Sequence, residues 1–165
     1  MKILEQGKVI VLDHLAPIQT VLGSCVSVCI RDMKAQVCGM NHFALPLPLS
    51  SDVTLPERYG IHAMEVLLND LYKLGATVSN LEVSYAGGSN VNSNMSKIGW
   101  TNIGFIEDFL QTEGLYVKYR LVGGSLARKL TYDATSGELL CEYLGGYNEN
   151  PISIPAFNAS VELFK

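Results

Sequence analysis

Two short segments, Leu22-Gly-Ser-Cys-Val-Ser-Val-Cys-Ile30 and Val37-Cys-Gly-Met-Asn-His-Phe-Ala-Leu-Pro46, decide the fold around them. Each is a run of strand-forming residues, the first preceded by a Gly-led turn and the second ended by proline. The polar residues 31–36 between them predict the connection of a β-hairpin. A turn centred in the middle of that connection would place Cys25 directly opposite His42.

This pairing would bring a thiol beside an imidazole. Opposed residues share one face of a hairpin, with Cβ atoms roughly 4.5–5.5 Å apart, whereas a slip of one residue would separate them. A histidine that deprotonates a cysteine is the minimum apparatus of thiol nucleophilic catalysis. Gly23 permits a strained turn, and the N–H groups of Ser24 and Cys25 would then be available as an oxyanion hole. The alternative is that Cys25 is a small core residue, the commonest role of a strand cysteine.

The remaining cysteines favour neither a disulfide nor a metal site. The same register opposes Cys29 to Cys38, but a reducing cytosol disfavours a disulfide between them. Along a strand, Cys25 and Cys29 would lie about 13 Å apart, too far to share one zinc ion. Cys141 falls inside a predicted strand and is expected to pack in the core. The sequence therefore predicts four reduced thiols, no metal and no cofactor.

Composition indicates one well-filled domain spanning residues 1–165. Hydrophobic residues make up 48% of the chain and charged residues 17%. With a net charge of −4 and no cluster of lysine or arginine, the chain lacks the signature of a nucleic-acid binder. No secretory segment and no membrane-spanning apolar run are visible, so we expect a cytoplasmic protein without membrane insertion.

The pattern beyond the hairpin predicts an α+β domain with two helices and six or seven strands. A one-sided apolar stripe predicts a helix over residues 61–74, and Asn102 is expected to cap a second helix that ends near residue 112. Further strands are predicted over residues 81–86, 115–122, 128–132 and 138–144. The Gly/Asn/Ser-rich residues 87–96 lack the close of a phosphate-binding loop, which argues against nucleotide binding.

The segments Thr20-Val-Leu-Gly-Ser-Cys-Val26 and Gly39-Met-Asn-His-Phe-Ala-Leu-Pro46 resemble the two signatures of the CheD chemoreceptor glutamine deamidases of bacterial chemotaxis. The resemblance is strongest over residues 8–142 and leaves residues 145–165 as a tail of uncertain role. It implies layered mixed and antiparallel β-sheets flanked by two helices, the cysteine hydrolase fold that CheD proteins share with the cytotoxic necrotizing toxins.

The resemblance also implies an activity and its site. The activity is deamidation of glutamines in methyl-accepting chemotaxis receptors through a cysteine thioester, with Cys25 as the nucleophile and His42 as the base. Some members carry a supporting threonine six residues before the cysteine, where this chain has Gln19. Thr20, one residue later, is the better candidate for the third group, and Gln19 remains the alternative.

Two other functions stay open at this stage. One is hydrolysis of receptor glutamyl methyl esters by the same chemistry. The other is a non-catalytic adaptor that binds a CheC-type phosphatase, since Ser84 and Thr101 stand where many members carry basic residues. We expect a monomer. The proline-punctuated residues 46–56 are predicted to be a surface loop that either borders the substrate groove or only connects elements.

Overall fold

A computed structural model describes residues 1–46, 58–91, 96–145 and 152–155, the last four and Ser96 for their backbone. It contains two α-helices, α1 (Gly60–Lys73) and α2 (Ser96–Glu113), and a short 3-10 turn at Val78–Asn80. The strands in chain order are β1 (Lys2–Ile3), β2 (Val9–Leu12), β3 (Pro17–Leu22), β4 (Val26–Asp32), β5 (Val37–Asn41), β6 (Leu81–Gly87), β7 (Tyr116–Val122), β8 (Ala127–Asp133), β9 (Glu138–Leu144) and β10 (Ile152–Pro155).

These strands form two five-stranded sheets. The outer sheet has the order β1-β3-β8-β9-β10, and the central sheet has the order β2-β5-β4-β6-β7. Both sheets are mixed, because β1 runs parallel to β3 and β6 runs parallel to β7. The chain passes from one sheet to the other between β3 and β4, which makes residues 23–25 a crossing point.

Two hydrophobic cores stack three layers together. The helices cover one face of the central sheet, where buried residues of α1 and α2 meet alternate residues of β4 such as Val28 and Ile30. The opposite face of the central sheet packs against the outer sheet through a second core that includes Ile18, Met40 and Leu130. The predicted α+β fold, with layered sheets flanked by two helices, is confirmed.

Strand and helix positions agree with the sequence pattern where the pattern is periodic. The helix expected over residues 61–74 is observed at Gly60–Lys73. Its predicted stripe is buried at Met64, Leu67, Leu68 and Leu71, whereas Ile61 is half-buried and Leu74 is exposed beyond the helix end. The pattern missed four strands, β1, β2, β3 and β10, so the predicted number of six or seven strands is too low. Three of these four strands have four residues or fewer, too short to show a clear alternation.

The hairpin is correct, but its predicted register is wrong by two residues. Ile30 pairs with Gly39, and an isolated bridge joins Val26 to Phe43. Cys25 is therefore not directly opposite His42, and it lies in the loop before β4 instead of inside a strand. Cys25 nevertheless packs against the core between the sheets, and His42 contacts Thr20 of the outer sheet, whereas Val26 and Phe43 belong to the helix-side core.

The second helix begins at Ser96, six residues before its predicted cap at Asn102. Asn102 is not its cap but a fully buried residue of its interior, since α2 starts at Ser96. A polar residue near an apolar run resembles a cap in the sequence, and only the packing of the helix distinguishes the two cases.

A β-bulge corrects the predicted faces of β7. The sequence alternation placed residues 115, 117, 119 and 121 on one face. In the structure the pairing with β6 skips one residue between Val117 and Tyr119. As a result Val117 packs in the helix-side core, whereas Tyr119 and Leu121 pack between the sheets. An extra residue of this kind reverses the faces of every residue that follows.

Some predictions lie outside the described residues. They concern most of the proline-punctuated loop, the middle of the Gly/Asn/Ser-rich segment, and the tail beyond Gly145 apart from β10, which pairs antiparallel with β9. Within the described ranges, no helix is long and apolar enough to cross a membrane.

Candidate active site

The site lies at the crossing point between the two sheets. We call residues 23–25 the cysteine loop; it follows β3 of the outer sheet and precedes β4 of the central sheet. His42 directly follows β5, and two hydrogen bonds hold its backbone to the N-terminal segment. The His42 N–H donates to the carbonyl of Lys8, and the N–H of Gly7 donates to the carbonyl of His42. Thr20 lies on the inner face of β3 and reaches the same point from the outer sheet.

Thr20 determines which nitrogen of His42 carries the proton. The Thr20 hydroxyl donates its only hydrogen to the carbonyl oxygen of Leu4 at 2.7 Å. Its oxygen lies 2.8 Å from Nδ1 of His42 and, with its own hydrogen already used, must accept from an Nδ1–H. The second ring nitrogen, Nε2, is therefore the one with a free lone pair, as a general base requires.

Burial keeps this imidazole neutral. The His42 side chain is almost completely enclosed, and desolvation lowers its pKa to about 4. At neutral pH the ring is therefore a proton acceptor.

Gln19 does not contact His42. Its side-chain amide donates to the hydroxyl of Thr131 at 2.9 Å, on the other face of the outer sheet. Neighbouring residues of a strand point to opposite faces, so only one of Gln19 and Thr20 can face the site. The structure brings Thr20, and not Gln19, to the histidine.

Cys25 is partly buried and opens into a cleft. The cleft has a volume of about 410 Å³; its described lining residues are Gln6, Gly23, Ser24, Cys25, Ala44, Leu45, Arg58 and Ile98. Burial raises the pKa of the Cys25 thiol, and the nearby Arg58 guanidinium offsets part of that effect. The thiol is thus expected to be protonated at neutral pH, where the His42 imidazole is also neutral. Both groups are uncharged before reaction, so a preformed thiolate–imidazolium pair is not expected.

A second cleft runs along the histidine side of the site. It has a volume of about 300 Å³ and is bordered by Thr20, Val21 and His42 together with residues 3–6 and Gln19. Gln6 lines both clefts. The N-terminal segment therefore lies where the thiol-side and histidine-side openings meet.

All three carbonyl groups of the cysteine loop accept hydrogen bonds from neighbouring segments of the chain. The N–H of Ser89 donates to Gly23 at 2.9 Å, and the N–H of Gly88 donates to Cys25 at 2.8 Å. The carbonyl of Ser24 accepts from the side-chain amide of Asn102 at 2.9 Å. Within the described ranges, no carbonyl or side-chain oxygen accepts from the N–H groups of Ser24 and Cys25. The Cys25 N–H lies near its own sulfur, and both residues line the cleft, so the two N–H groups are candidate donors to a ligand there.

The glycine that this loop requires is not Gly23. Gly23 has no positive φ, and a Cβ atom added there would lie 3.6 Å from Val91, an ordinary contact. At Gly87, by contrast, φ is +119° and a Cβ atom would lie 2.1 Å from the Cys25 carbonyl oxygen. The cysteine loop does make a close backbone approach, but the glycine that permits it is Gly87 at the end of β6 and not Gly23.

The other three cysteines lie away from the site. Cys29, Cys38 and Cys141 are buried and free in the core between the sheets, and Cys29 pairs with Met40 instead of Cys38. No group of three or more potential metal-ligating side chains occurs among the described residues.

Sequence reasoning missed Asn102, Leu4 and Arg58 as parts of the site. Leu4 contributes only its backbone carbonyl, which no side-chain pattern can indicate. Arg58 lines the cleft from a position 33 residues beyond Cys25. The available signal for Asn102 was its polarity within the apolar stripe of α2.

Taken with the fold, a thiol, an imidazole oriented by a hydroxyl, and two available N–H groups define an α+β protein with the groups of a cysteine hydrolase. The family model for CheD, described as chemotactic sensory transduction, matches residues 45–143. The chain belongs to the CheD family.

Several relatives are similar over most of the chain. The "probable chemoreceptor glutamine deamidase CheD" of Hahella chejuensis is 39% identical over 153 residues, covering 88% of this chain and 71% of that protein. The protein of the same name from Laribacter hongkongensis is 42% identical, covering 83% and 71%. That of Rhizobium johnstonii is 44% identical, covering 80% and 73%.

Proposed function

We propose that this protein deamidates glutamine side chains of methyl-accepting chemotaxis receptors, with Cys25, His42 and Thr20 as its catalytic groups. The observation that carries the proposal is the hydrogen-bond chain from Leu4 through Thr20 to Nδ1 of His42, which leaves Nε2 as the proton acceptor. The relatives named above supply the substrate class, since each is described as acting on chemoreceptor glutamine.

The first half of the reaction forms a thioester. Nε2 of His42 takes the proton of the Cys25 thiol as the sulfur attacks the carbon of the glutamine side-chain amide. The tetrahedral intermediate carries a negative oxygen, which accepts hydrogen bonds from the N–H groups of Ser24 and Cys25. When the intermediate collapses, the C–N bond breaks and His42 returns its proton to the leaving nitrogen, which departs as ammonia.

The second half hydrolyses the thioester. A water molecule gives one proton to Nε2 of His42 and adds its oxygen to the thioester carbon. Collapse breaks the C–S bond and releases glutamic acid, and His42 returns the proton to the sulfur. Atoms and charges balance over the two halves with water as the only co-reactant, so the reaction as written uses no cofactor.

The uncharged resting pair suits this sequence of steps. Both side chains are buried enough that separate charges would be costly, so proton transfer is expected to accompany the attack. The negative charge then develops on the amide oxygen, which accepts hydrogen bonds from the two backbone N–H groups. Such donors typically contribute about 2.7–4 kcal/mol each to the transition state.

The wider role of the protein is part of the same proposal. Residues 1–165 act as one domain, in the cytoplasm, on the cytoplasmic part of the receptor. The protein is a monomer that binds neither nucleic acid nor the membrane, and a CheC-type phosphatase is its candidate partner. An acyl-thioester route would also cleave a glutamyl methyl ester, so the preference for amide over ester is to be measured.

The direct test incubates the purified protein with a receptor cytoplasmic fragment and follows amide-to-acid conversion by peptide mass spectrometry. We expect conversion of specific glutamines by the natural chain and by Cys38→Ala, which removes a thiol outside the site. Cys25→Ala should be inactive. Full activity of Cys25→Ala would contradict the mechanism.

The same experiment separates the competing functions. A parallel arm with a methylated fragment measures ester hydrolysis. Faster cleavage of the ester than of the amide would favour the methylesterase. Absence of both reactions, with retained binding of a CheC-type protein, would favour the adaptor.

A further inference from the structure

A buried asparagine connects α2 to the cysteine loop. The side-chain amide nitrogen of Asn102 donates to the carbonyl of Ser24 at 2.9 Å and to the carbonyl of Ala44 at 3.0 Å. The first carbonyl precedes Cys25, and the second lies two residues after His42. One amide group therefore joins the segment that carries the thiol to the segment that carries the imidazole.

Packing fixes the orientation of this amide. Asn102 is fully buried, and rotating its amide by 180° would turn Oδ1 towards two carbonyl oxygens. The observed orientation is thus the one that gives hydrogen bonds. It leaves Oδ1 buried without a partner among the described residues. The amide therefore satisfies two buried carbonyl groups and leaves one of its own polar atoms unpaired.

Two glycines bring Asn102 within reach of the loop. A Cβ atom at Gly99 would lie 2.5 Å from the Gly88 carbonyl oxygen, and a Cβ atom at Gly88 would lie 2.4 Å from Ile103. Helix α2 therefore packs at backbone distance against the segment after β6. That same segment holds the carbonyls of Gly23 and Cys25.

The geometry points to Asn102 as a positioning residue that turns the N–H group of Cys25 towards the cleft. A peptide group is planar, so holding the Ser24 carbonyl fixes the direction of the Cys25 N–H, which belongs to the same peptide. In the same way, the bond from Ser89 to the Gly23 carbonyl fixes the Ser24 N–H. Asn102 thus orients one of the two proposed oxyanion donors and fixes the loop relative to the histidine segment. This inference rests on the proposed function for its biological reaction but not for its test.

The reaction rates of Cys25 with two small reagents separate the effect of the oxyanion donor from the reactivity of the thiol. Acylation of Cys25 by p-nitrophenyl acetate passes through a tetrahedral oxyanion, whereas alkylation by iodoacetamide displaces iodide without one. The ratio of the two rates, corrected for the background of Cys25→Ala, reports the oxyanion site without a receptor. Its outcome is therefore independent of whether the natural substrate is a receptor glutamine.

The test compares Asn102→Leu with Ile106→Ala. Ile106 lies one turn further along α2 and is fully buried in the helix-side core, so its substitution destabilises the same helix without touching the loop. We expect Asn102→Leu to lower the ratio of acylation to alkylation by about 100-fold, the loss typical of one oxyanion donor. Ile106→Ala should keep the natural ratio at a comparable loss of thermal stability.

A second variant distinguishes loss of the hydrogen bond from misfolding. Asn102→Asp keeps the shape of the side chain, and its carboxyl group can donate one hydrogen bond only while protonated. We expect its acylation-to-alkylation ratio to rise as the pH falls towards 5, a dependence absent from the natural protein. A natural ratio in both Asn102 variants, or an equal drop in Ile106→Ala, would overturn the inference.

Discussion

Thr20 shows how one hydroxyl can set the chemistry of a neighbouring ring. It donates to Leu4 and accepts from His42, so its two hydrogen bonds select a single tautomer of the imidazole. The histidine in turn has no other described partner for Nδ1. The threonine is thus the residue on which the basicity of Nε2 depends.

Replacing this hydroxyl is expected to reduce turnover with little change in shape. Thr20→Val keeps the branched side chain but removes the acceptor for Nδ1–H, so the tautomer is no longer fixed. We expect kcat to fall by about 10- to 100-fold, as when orienting partners of functional histidines are removed. Stability should also fall, by about 1–3 kcal/mol, because buried polar groups at Leu4 and His42 lose their partner.

The neighbouring glutamine provides the matched control. Gln19→Ala removes the hydrogen bond to Thr131 on the other face of the same strand. Steady-state kinetics on both variants should show loss of kcat in Thr20→Val alone. A larger loss in Gln19→Ala would assign the supporting role to Gln19.

At the scale of elements, the end of β6 shapes the cysteine loop. Gly87 and Gly88 supply positive φ values, and the N–H of Gly88 holds the carbonyl of Cys25. As glycines, both residues lack a side chain that could contact a ligand. Their contribution is close approach of backbone to backbone, which only glycine permits there.

Gly87→Ala is expected to damage both stability and reactivity. A methyl group would lie 2.1 Å from the Cys25 carbonyl oxygen, and the positive φ disfavours any other residue. We expect the free energy of unfolding to fall by at least about 1–3 kcal/mol from backbone strain. The Cys25 carbonyl must also move, so alkylation of Cys25 should change in rate.

At Gly104 in α2, we expect substitution by alanine to stabilise the protein instead of destabilising it. A Cβ atom there meets nothing within 4 Å, and the backbone is helical. Gly104→Ala should stabilise the protein by about 0.5–1 kcal/mol and leave Cys25 unchanged. Denaturant unfolding and timed alkylation measure both effects. Equal stability of Gly87→Ala and Gly104→Ala would show that the close contact at Gly87 is unimportant.

At the scale of the whole molecule, burial of the site couples folding to pH. The pKa of His42 is about 4 in the folded protein, against about 6.5 in an unfolded chain. Between these values the unfolded state binds a proton that the folded state does not. Stability must therefore decrease as the pH falls through this window.

We expect this histidine to account for roughly 3 kcal/mol of acid destabilisation between pH 6.5 and 4. Carboxylates titrate over the lower part of the same range, so the effect is read as a difference between two proteins. His42→Gln lacks the titrating group and should show a shallower dependence of unfolding free energy on pH. Parallel pH curves for the two proteins would place the histidine pKa near its normal value.

Much of the element pattern was predictable because it is local. The apolar stripe of α1 and the β8–β9 hairpin follow from residues close together in the chain, and both were found where expected. The short strands and the bulge in β7 were not predictable, since neighbouring strands stabilise them. The start of α2 depended on the burial of Asn102.

The sequence by itself determined that the segments of Cys25 and His42 form one hairpin, because each is a short run of strand-forming residues and the connection between them is polar. It also determined the family resemblance carried by the residues around them. Only the tertiary structure decided that Thr20, and not Gln19, supports the histidine. That choice arises where two sheets meet, and the face that each strand turns inward is set by long-range packing.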